Sequence, residues 1–133
     1  MPSYQPAIFN KSHNQHVFIE FCLRQGNRKD AVRAALRQLV ASGQDGNVLQ
    51  LLAFGHRLWA QLDGRFEVPP FAMEGRVPAT QGDLLVWLQG SDRGFLFDRA
   101  MACFKLLRED FDIQLEIQGF VYHDMRDLSG FVD

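Results

Sequence analysis

The sequence predicts an α+β fold of the ferredoxin-like type (the dimeric α/β-barrel type), in which a four-stranded antiparallel sheet carries two helices on one face. The first observation is order, because segments typical of strands and helices follow one another as β-α-β-β-α-β. The second is length, since 133 residues are enough for one domain with its own hydrophobic core. The third is composition, with 47% hydrophobic and 23% charged residues, which is typical of a globular protein. We therefore expect residues 1–133 to form a single domain.

The first strand and the first helix follow a polar N-terminal segment. Residues 16–23 (HVFIEFCL) are aromatic and β-branched, which predicts a strand, and Gly26 and Asn27 end it. Over residues 28–42 apolar side chains recur at helical spacing while basic ones occupy the remaining surface. This pattern predicts an amphipathic helix with Asn27 as its N-cap. The apolar positions are Val32, Ala35, Leu36, Leu39 and Val40.

The middle of the chain contains the second strand and a long connection. Turn-forming residues at 42–47 (SGQDGN) precede a strand at 48–54 (VLQLLAF). Apolar residues at helical spacing then predict a short helical turn; they are Leu58, Trp59 and Leu62. Residues 63–81 contain three prolines and predict a loop, which is unusually long for a compact domain.

The third strand and the second helix follow this loop. Residues 83–89 (DLLVWLQ) are almost entirely apolar, as expected of a strand that is covered on both faces. Ser91 or Asp92 is expected to cap a helix that runs to about Glu109. The inner face of this helix would consist of Leu96, Ala100, Cys103, Phe104 and Leu107.

The last predicted strand has the clearest pattern of the chain. Residues 111–118 (FDIQLEIQ) alternate strictly between apolar and polar side chains. The pattern predicts that one face, formed by Phe111, Ile113, Leu115 and Ile117, is buried and that the other is polar. Because both helices would cover the same face of the sheet, the other face must meet water or a partner. The apolar third strand favours a partner, and we expect a homo-oligomer through the exposed sheet face.

Charge and cysteine usage exclude several partners and compartments. Fourteen basic and sixteen acidic residues give a formal charge of −2, so the chain has no basic surface for nucleic acid or an anionic membrane. No apolar stretch is long enough for a membrane span, and no export signal is visible at the N-terminus. Cys22 and Cys103 lie in apolar runs without CxxC spacing, which is typical of buried thiols in a reducing compartment. These observations predict a cytoplasmic protein.

Few residues carry the pattern of a catalytic or metal site. His13 and His16 have HxxH spacing, but no other Cys or His lies nearby, so we expect a surface pair and no metal site. His56 and His123 are isolated, and we expect structural or solvent-exposed roles for both. At the C-terminus, a polar segment precedes a turn at Gly130 and then Asp133. The residues alone leave two alternatives for Asp133, a solvated end of the chain or a functional carboxylate.

Four stretches together resemble the N-terminal half of the dye-decolorizing (DyP-type) haem peroxidases. They are LLAFGHRLW at 51–59, ATQGDLLVWLQG at 79–90, SDRGFLFDRA at 91–100 and EIQGFVYHDMRDLSGFVD at 116–133. Residues 130–133 look like the first four residues of the family's GxxDG motif. The resemblance implies a ferredoxin-like fold, haem as the cofactor of the family, and a distal aspartate at Asp133 that moves a proton of hydrogen peroxide.

The sequence also departs from the family. In the family a second ferredoxin-like half supplies the proximal histidine and a distal arginine, and no residue here matches them. The resemblance therefore implies a domain truncated within the GxxDG motif, which alone neither binds haem nor acts as a peroxidase. Two alternatives remain open. One is a non-enzymatic α/β module that oligomerises or binds a partner through its exposed sheet; the other is a haem site completed by a separately encoded C-terminal half.

Overall fold

The computed structural model describes residues 5–62, 76, 78 and 80–131. Within these residues, five antiparallel strands form one sheet. The strands are β1 (Gln15–Leu23), β2 (Gln44–Asp45), β3 (Val48–Phe54), β4 (Leu84–Gly90) and β5 (Phe111–Phe120). They lie in the order β2-β3-β4-β1-β5. The predicted α+β ferredoxin-like arrangement of four main strands is confirmed, and β2 adds a two-residue hairpin strand at one edge.

Three helices accompany the sheet, α1 (Lys29–Ser42), α2 (His56–Leu62) and α3 (Arg93–Leu107), and a 3₁₀ turn at Pro6–Phe9 precedes β1. The prediction of Asp92 as the cap of α3 is confirmed, because its side chain accepts hydrogen bonds from the backbone N–H groups of Gly94 and Phe95. The prediction of Asn27 as the cap of α1 is wrong. Arg28 occupies that position without a side-chain cap, and the Asn27 amide instead donates to the Arg24 carbonyl.

The hydrophobic core lies between the helices and one face of the sheet. From β1, the alternate residues Val17, Ile19 and Phe21 are buried, and the matching residues of β4 lie beside them in register. Phe21 meets Phe111 of β5 edge to face at a ring distance of 6.4 Å. The helices contribute Val32, Leu36, Leu39, Leu58, Leu96, Cys103 and Leu107. We refer to the sheet face opposite the helices as the open face.

The prediction that β5 has one buried apolar face is wrong. Phe111 is buried, but Ile113, Leu115 and Ile117 are 43%, 46% and 49% exposed. The reason is an irregularity between Glu20 and Phe21 of β1, where the pairing register shifts by one residue of β5. The shift reverses the side-chain directions of β5, so that Leu115 and Ile117 lie opposite Glu20 and Phe18 on the open face.

The 3₁₀ turn covers the β3 side of the sheet. The Gln5 side chain donates to the Leu52 carbonyl and accepts from the Leu52 N–H, both at 2.9 Å, as a neighbouring strand would. Buried Gln89 donates to the Ala7 carbonyl at 2.8 Å and accepts from Asn10 at 3.2 Å, so its amide is satisfied. Consequently the chain itself covers one end of the open face.

Several predictions concern residues that the structure describes only in part. Most of the predicted loop at 63–81 lies outside the described residues, and so does Asp133. Cys103 is buried as predicted, whereas Cys22 is half-buried; both are free thiols. Among the described residues, no helix is long and apolar enough to cross a membrane.

Candidate functional site

The C-terminal segment at 121–131 leads toward Asp133 and contains three residues with a left-handed backbone. His123 and Met125 have φ values of 44° and 70°, and Gly130 has 96°. Such values are uncommon for residues other than glycine, so the segment needs local interactions to maintain them. One is the paired hydrogen bond from the Arg126 guanidinium to the Asp124 carboxylate, at 2.5 and 2.7 Å. This bond also holds the pKa of Asp124 below its usual value.

Asp127 organises the glycine turn that was predicted from the sequence. Its carboxylate accepts hydrogen bonds from the hydroxyl and the N–H of Ser129, which lower its pKa. Its carbonyl accepts from the Gly130 N–H at 3.1 Å, and its own N–H donates to the Phe131 carbonyl at 2.9 Å. The turn is therefore a defined structure within the exposed segment.

The two histidines of the HxxH pair are half-buried, although the sequence predicted a surface pair. The Trp87 indole donates to Nδ1 of His16 at 3.2 Å, and His16, Phe18 and Trp87 form a ring cluster on the open face. Burial, with a smaller contribution from the charge of His13, lowers the pKa of His16. No group of three or more metal-ligating side chains occurs in the described part of the chain.

A second polar cluster lies where β1, α2 and the residue before β4 meet. The Asp83 carboxylate is buried and accepts hydrogen bonds from the Leu23 N–H at 2.7 Å and from Nε of Arg57 at 2.9 Å. Nη2 of Arg57 also donates to it, and this ion pair raises the pKa of Arg57. Next to the pair, the Cys22 thiol donates to Oε1 of Gln114 at 2.7 Å, and burial raises its pKa. These hydrogen bonds connect β1, α2 and the residue before β4.

The described lining of a large cleft beside α1 offers no axial histidine for a haem. This cleft, of about 740 Å³, is lined by α1, β3 and α2, and none of its described lining residues is a histidine. His16 already accepts from Trp87 through Nδ1, and the His123 ring packs against Tyr122 at 4.0 Å. His56 lines a different cleft with Arg57 and Asp83. Because an axial ligand is what fixes haem iron in a peroxidase, the described lining of this 740 Å³ cleft does not supply what a haem site needs.

The fold has clear relatives among solved structures, whereas no family model matches the sequence. A DyP-type peroxidase protein from Shewanella oneidensis is 22% identical with a TM-score of 0.87, and the match covers 100% of this chain and 48% of that one. The encapsulated DyP-type peroxidase of Mycobacterium smegmatis is 26% identical with a TM-score of 0.77, and the match covers 100% of this chain and 47% of that one. The chain has the fold of half a DyP-type peroxidase.

A further DyP-type relative carries the cofactor of the family. A variant of DypB from Rhodococcus jostii RHA1 was solved in complex with heme; it is 20% identical with a TM-score of 0.77, and the match covers 95% of this chain and 46% of that one. This chain thus spans about half the length of the DyP-type structures it matches. The resemblance inferred from the sequence is confirmed at the level of the fold, and haem binding is shown for the relative.

Sequence patterns did not reveal the cluster formed by Asp83 and Arg57. The two residues are 26 positions apart, and each has an ordinary place in its own element. One signal was available, since Asp83 directly precedes an almost entirely apolar strand and is therefore carried into the core with it. A carboxylate in such a place requires a partner, and Arg57 at the start of α2 was a candidate.

Proposed function

We propose that this protein is a DyP-type peroxidase-related domain that does not perform hydrogen-peroxide-dependent oxidation on its own. The observation that carries the proposal is the fold match, which extends over all of this chain and about half of each DyP-type structure. The lack of an axial histidine among the described residues that line the cleft formed by α1, β3 and α2 supports the inactivity of the isolated domain. Haem would then be bound only together with a further polypeptide segment that supplies the proximal histidine and the distal arginine.

Within such a complete site, we assign the distal proton transfer to Asp133. The assignment rests on the resemblance of residues 130–133 to the GxxDG motif. It is supported by the hydrogen-bonded turn around Gly130, which gives residues 127–131 of that motif region a defined backbone. A carboxylate in that role takes a proton from one peroxide oxygen and returns it to the other. Asp133 therefore belongs to a catalytic motif that requires other residues to function.

A hemin titration of the purified 133-residue chain tests the proposal. We expect weak binding without a ligand-defined Soret band, and dye oxidation with hydrogen peroxide no faster than that of the same amount of free hemin. Stoichiometric binding with a shifted Soret band and substantial dye oxidation would contradict the inactivity. In that case the variant Asp133→Asn should lose dye oxidation and keep the Soret band, if Asp133 acts on the proton. The exposed Asp112→Asn is the matched control, since it removes a carboxylate remote from residues 130–133 in sequence.

A second candidate function is a non-enzymatic module that binds a partner through the open face of the sheet. Half-buried Phe18 and Trp87 and the exposed Leu115 and Ile117 favour it, because together they form an apolar surface opposite the helices. Partners that this surface fits are a second copy of the chain or a separately encoded C-terminal half. Light scattering of the purified chain, alone and with such a half, distinguishes these partners from a monomer. Free Cys22 and Cys103 support a reducing compartment, and we propose the cytoplasm.

A further inference from the structure

The two edges of the sheet differ in how they are covered. At the β3 edge, β2 pairs with the start of the strand, and the Gln5 side chain satisfies both backbone groups of Leu52. At the β5 edge, no described residue pairs with the outer side of the strand, although β5 has ten residues. A long edge with a row of unpaired N–H and C=O groups is suited to pairing with another strand.

Both faces of β5 are also incompletely covered. On the open face, Leu115 and Ile117 are exposed. On the helix side, Glu116 and Gln118 are exposed and line a small cavity of about 70 Å³ with Phe97 and Phe120. Of the described strands, only β1 pairs with β5, and residues 115–118 of β5 are exposed. The strand carries two acidic residues and no lysine, the residue most often used to protect an edge.

We propose that β5 pairs with β5 of a second copy of this chain, antiparallel and across a two-fold axis at Ile117. In this register Ile117 lies beside Ile117 of the second copy on the open face. Glu116 lies opposite Gln118 of the second copy, and by symmetry this pair occurs twice. An amide can donate to a carboxylate across a strand pair, so the register is complementary in hydrogen bonding and avoids opposing like charges.

The neighbouring registers are less favourable. Centring the axis on Glu116 places two carboxylates directly opposite each other, and centring it on Gln114 places Asp112 opposite Glu116. If the axis lay at Leu115, the paired stretch would include the register shift of β5. Ile113 and Ile117, which point to different faces, would then have to be neighbours. Only residues 115–120 form a regular stretch, and Ile117 lies within it. The pairing would extend the sheet continuously through both copies.

The proposal does not depend on the proposed peroxidase relationship, because it requires neither haem nor Asp133. It is tested by light scattering and sedimentation of the full chain over a range of micromolar concentrations. We expect a dimer of the unchanged protein. Gln118→Glu would place carboxylates opposite each other at two symmetry-related positions, and we expect it to weaken dimerisation by about tenfold or more. The exchanged variant E116Q/Q118E restores the complementary pair, and we expect its affinity to lie close to that of the unchanged protein.

Gln38→Glu on the exposed side of α1 is the matched control, because it adds the same charge away from β5 and should leave dimerisation unchanged. Since Glu116 and Gln118 are exposed, circular dichroism melts should show that all four proteins are equally folded. A monomeric unchanged protein would overturn the proposal. So would a dimer that Gln118→Glu does not weaken, or one that the exchanged variant fails to restore, since either result would place the contact elsewhere or in another register.

Discussion

Replacing Asp83 with alanine should destabilise the domain more than any replacement of an exposed carboxylate. Asp83 is 4% exposed, and its side chain joins β1 through the Leu23 N–H and α2 through Arg57. Its backbone adds to the same junction, because its N–H donates to the Phe21 carbonyl and its carbonyl accepts from the Gly55 N–H. The backbone bonds remain in the alanine variant, so the change isolates the contribution of the carboxylate.

The expected loss has two parts. Removing the carboxylate leaves the buried Leu23 N–H without its charged acceptor, which costs about 1.5–3 kcal/mol. The ion pair adds only about 0–1 kcal/mol, because the Arg57 side chain is 59% exposed and solvent screens it. The free energy of unfolding should therefore fall by roughly 2–4 kcal/mol, which corresponds to a lowering of Tm by roughly 10 °C in a domain of this size. Asp83→Asn keeps an acceptor for Leu23 and should lose less.

Asp112→Ala is the matched control, because Asp112 makes the same kind of paired contact with Arg24 at the surface. Those side chains are 63% and 45% exposed, so solvent screens the pair and the loss should be much smaller than that of Asp83→Ala. Urea unfolding followed by circular dichroism measures both variants. If Asp83→Ala costs no more than Asp112→Ala, the burial of Asp83 does not stabilise the junction and the reasoning is refuted.

Three further predictions concern a glycine, the thiols and a histidine. Gly55→Ala should cost about 1–3 kcal/mol in urea unfolding, because its Cβ would lie 2.2 Å from the Gly82 carbonyl oxygen, whereas Gly46→Ala, with no atom near its Cβ, should cost little. Burial raises the pKa of Cys103 to about 11, so iodoacetamide at pH 8 should modify Cys22 of the folded protein and leave Cys103 unmodified until unfolding; equal rates would contradict this. Because the folded-state pKa of His16 is lowered, its contribution to stability is present above its unfolded-state pKa of about 6.5 and is lost as the pH falls below that value. The drop in stability between pH 7.5 and 5.5 should therefore shrink in His16→Phe and persist in the exposed His123→Gln.

The sequence was sufficient for the order of elements and for most of their bounds. Helix α1 and strand β3 follow directly from local patterns, since apolar residues at helical or strand spacing determine which face is buried. Asp92 was recognisable as a cap because the capping bonds are made within three residues. The N-terminal end of α1 was not recognisable in the same way. The Asn27 side chain bonds to Arg24 and Gln61 instead of capping the helix, and the bond to Gln61 depends on where α2 lies.

The candidate site depended on information that local patterns do not contain. The resemblance to DyP-type peroxidases assigned a role to Asp133 from a short motif, but the contacts of His16 with Trp87 and of Asp83 with Arg57 join residues far apart in sequence. Neither residue of such a pair is unusual in its own segment. Long-range polar pairs of this kind become visible only when the sheet order is known, because the order decides which side chains become neighbours.

Strand β5 shows how a correct local pattern leads to a wrong conclusion about burial. Its strict alternation correctly predicted a strand, and Phe111 does enter the core. Alternation, however, fixes only the relative directions of neighbouring side chains; the face they point to is set by pairing with β1. There the register shifts by one residue after Glu20, which turns Leu115 and Ile117 to the open face. One extra residue in the pairing therefore converts a predicted core strand into an edge strand whose apolar side chains Leu115 and Ile117 are exposed.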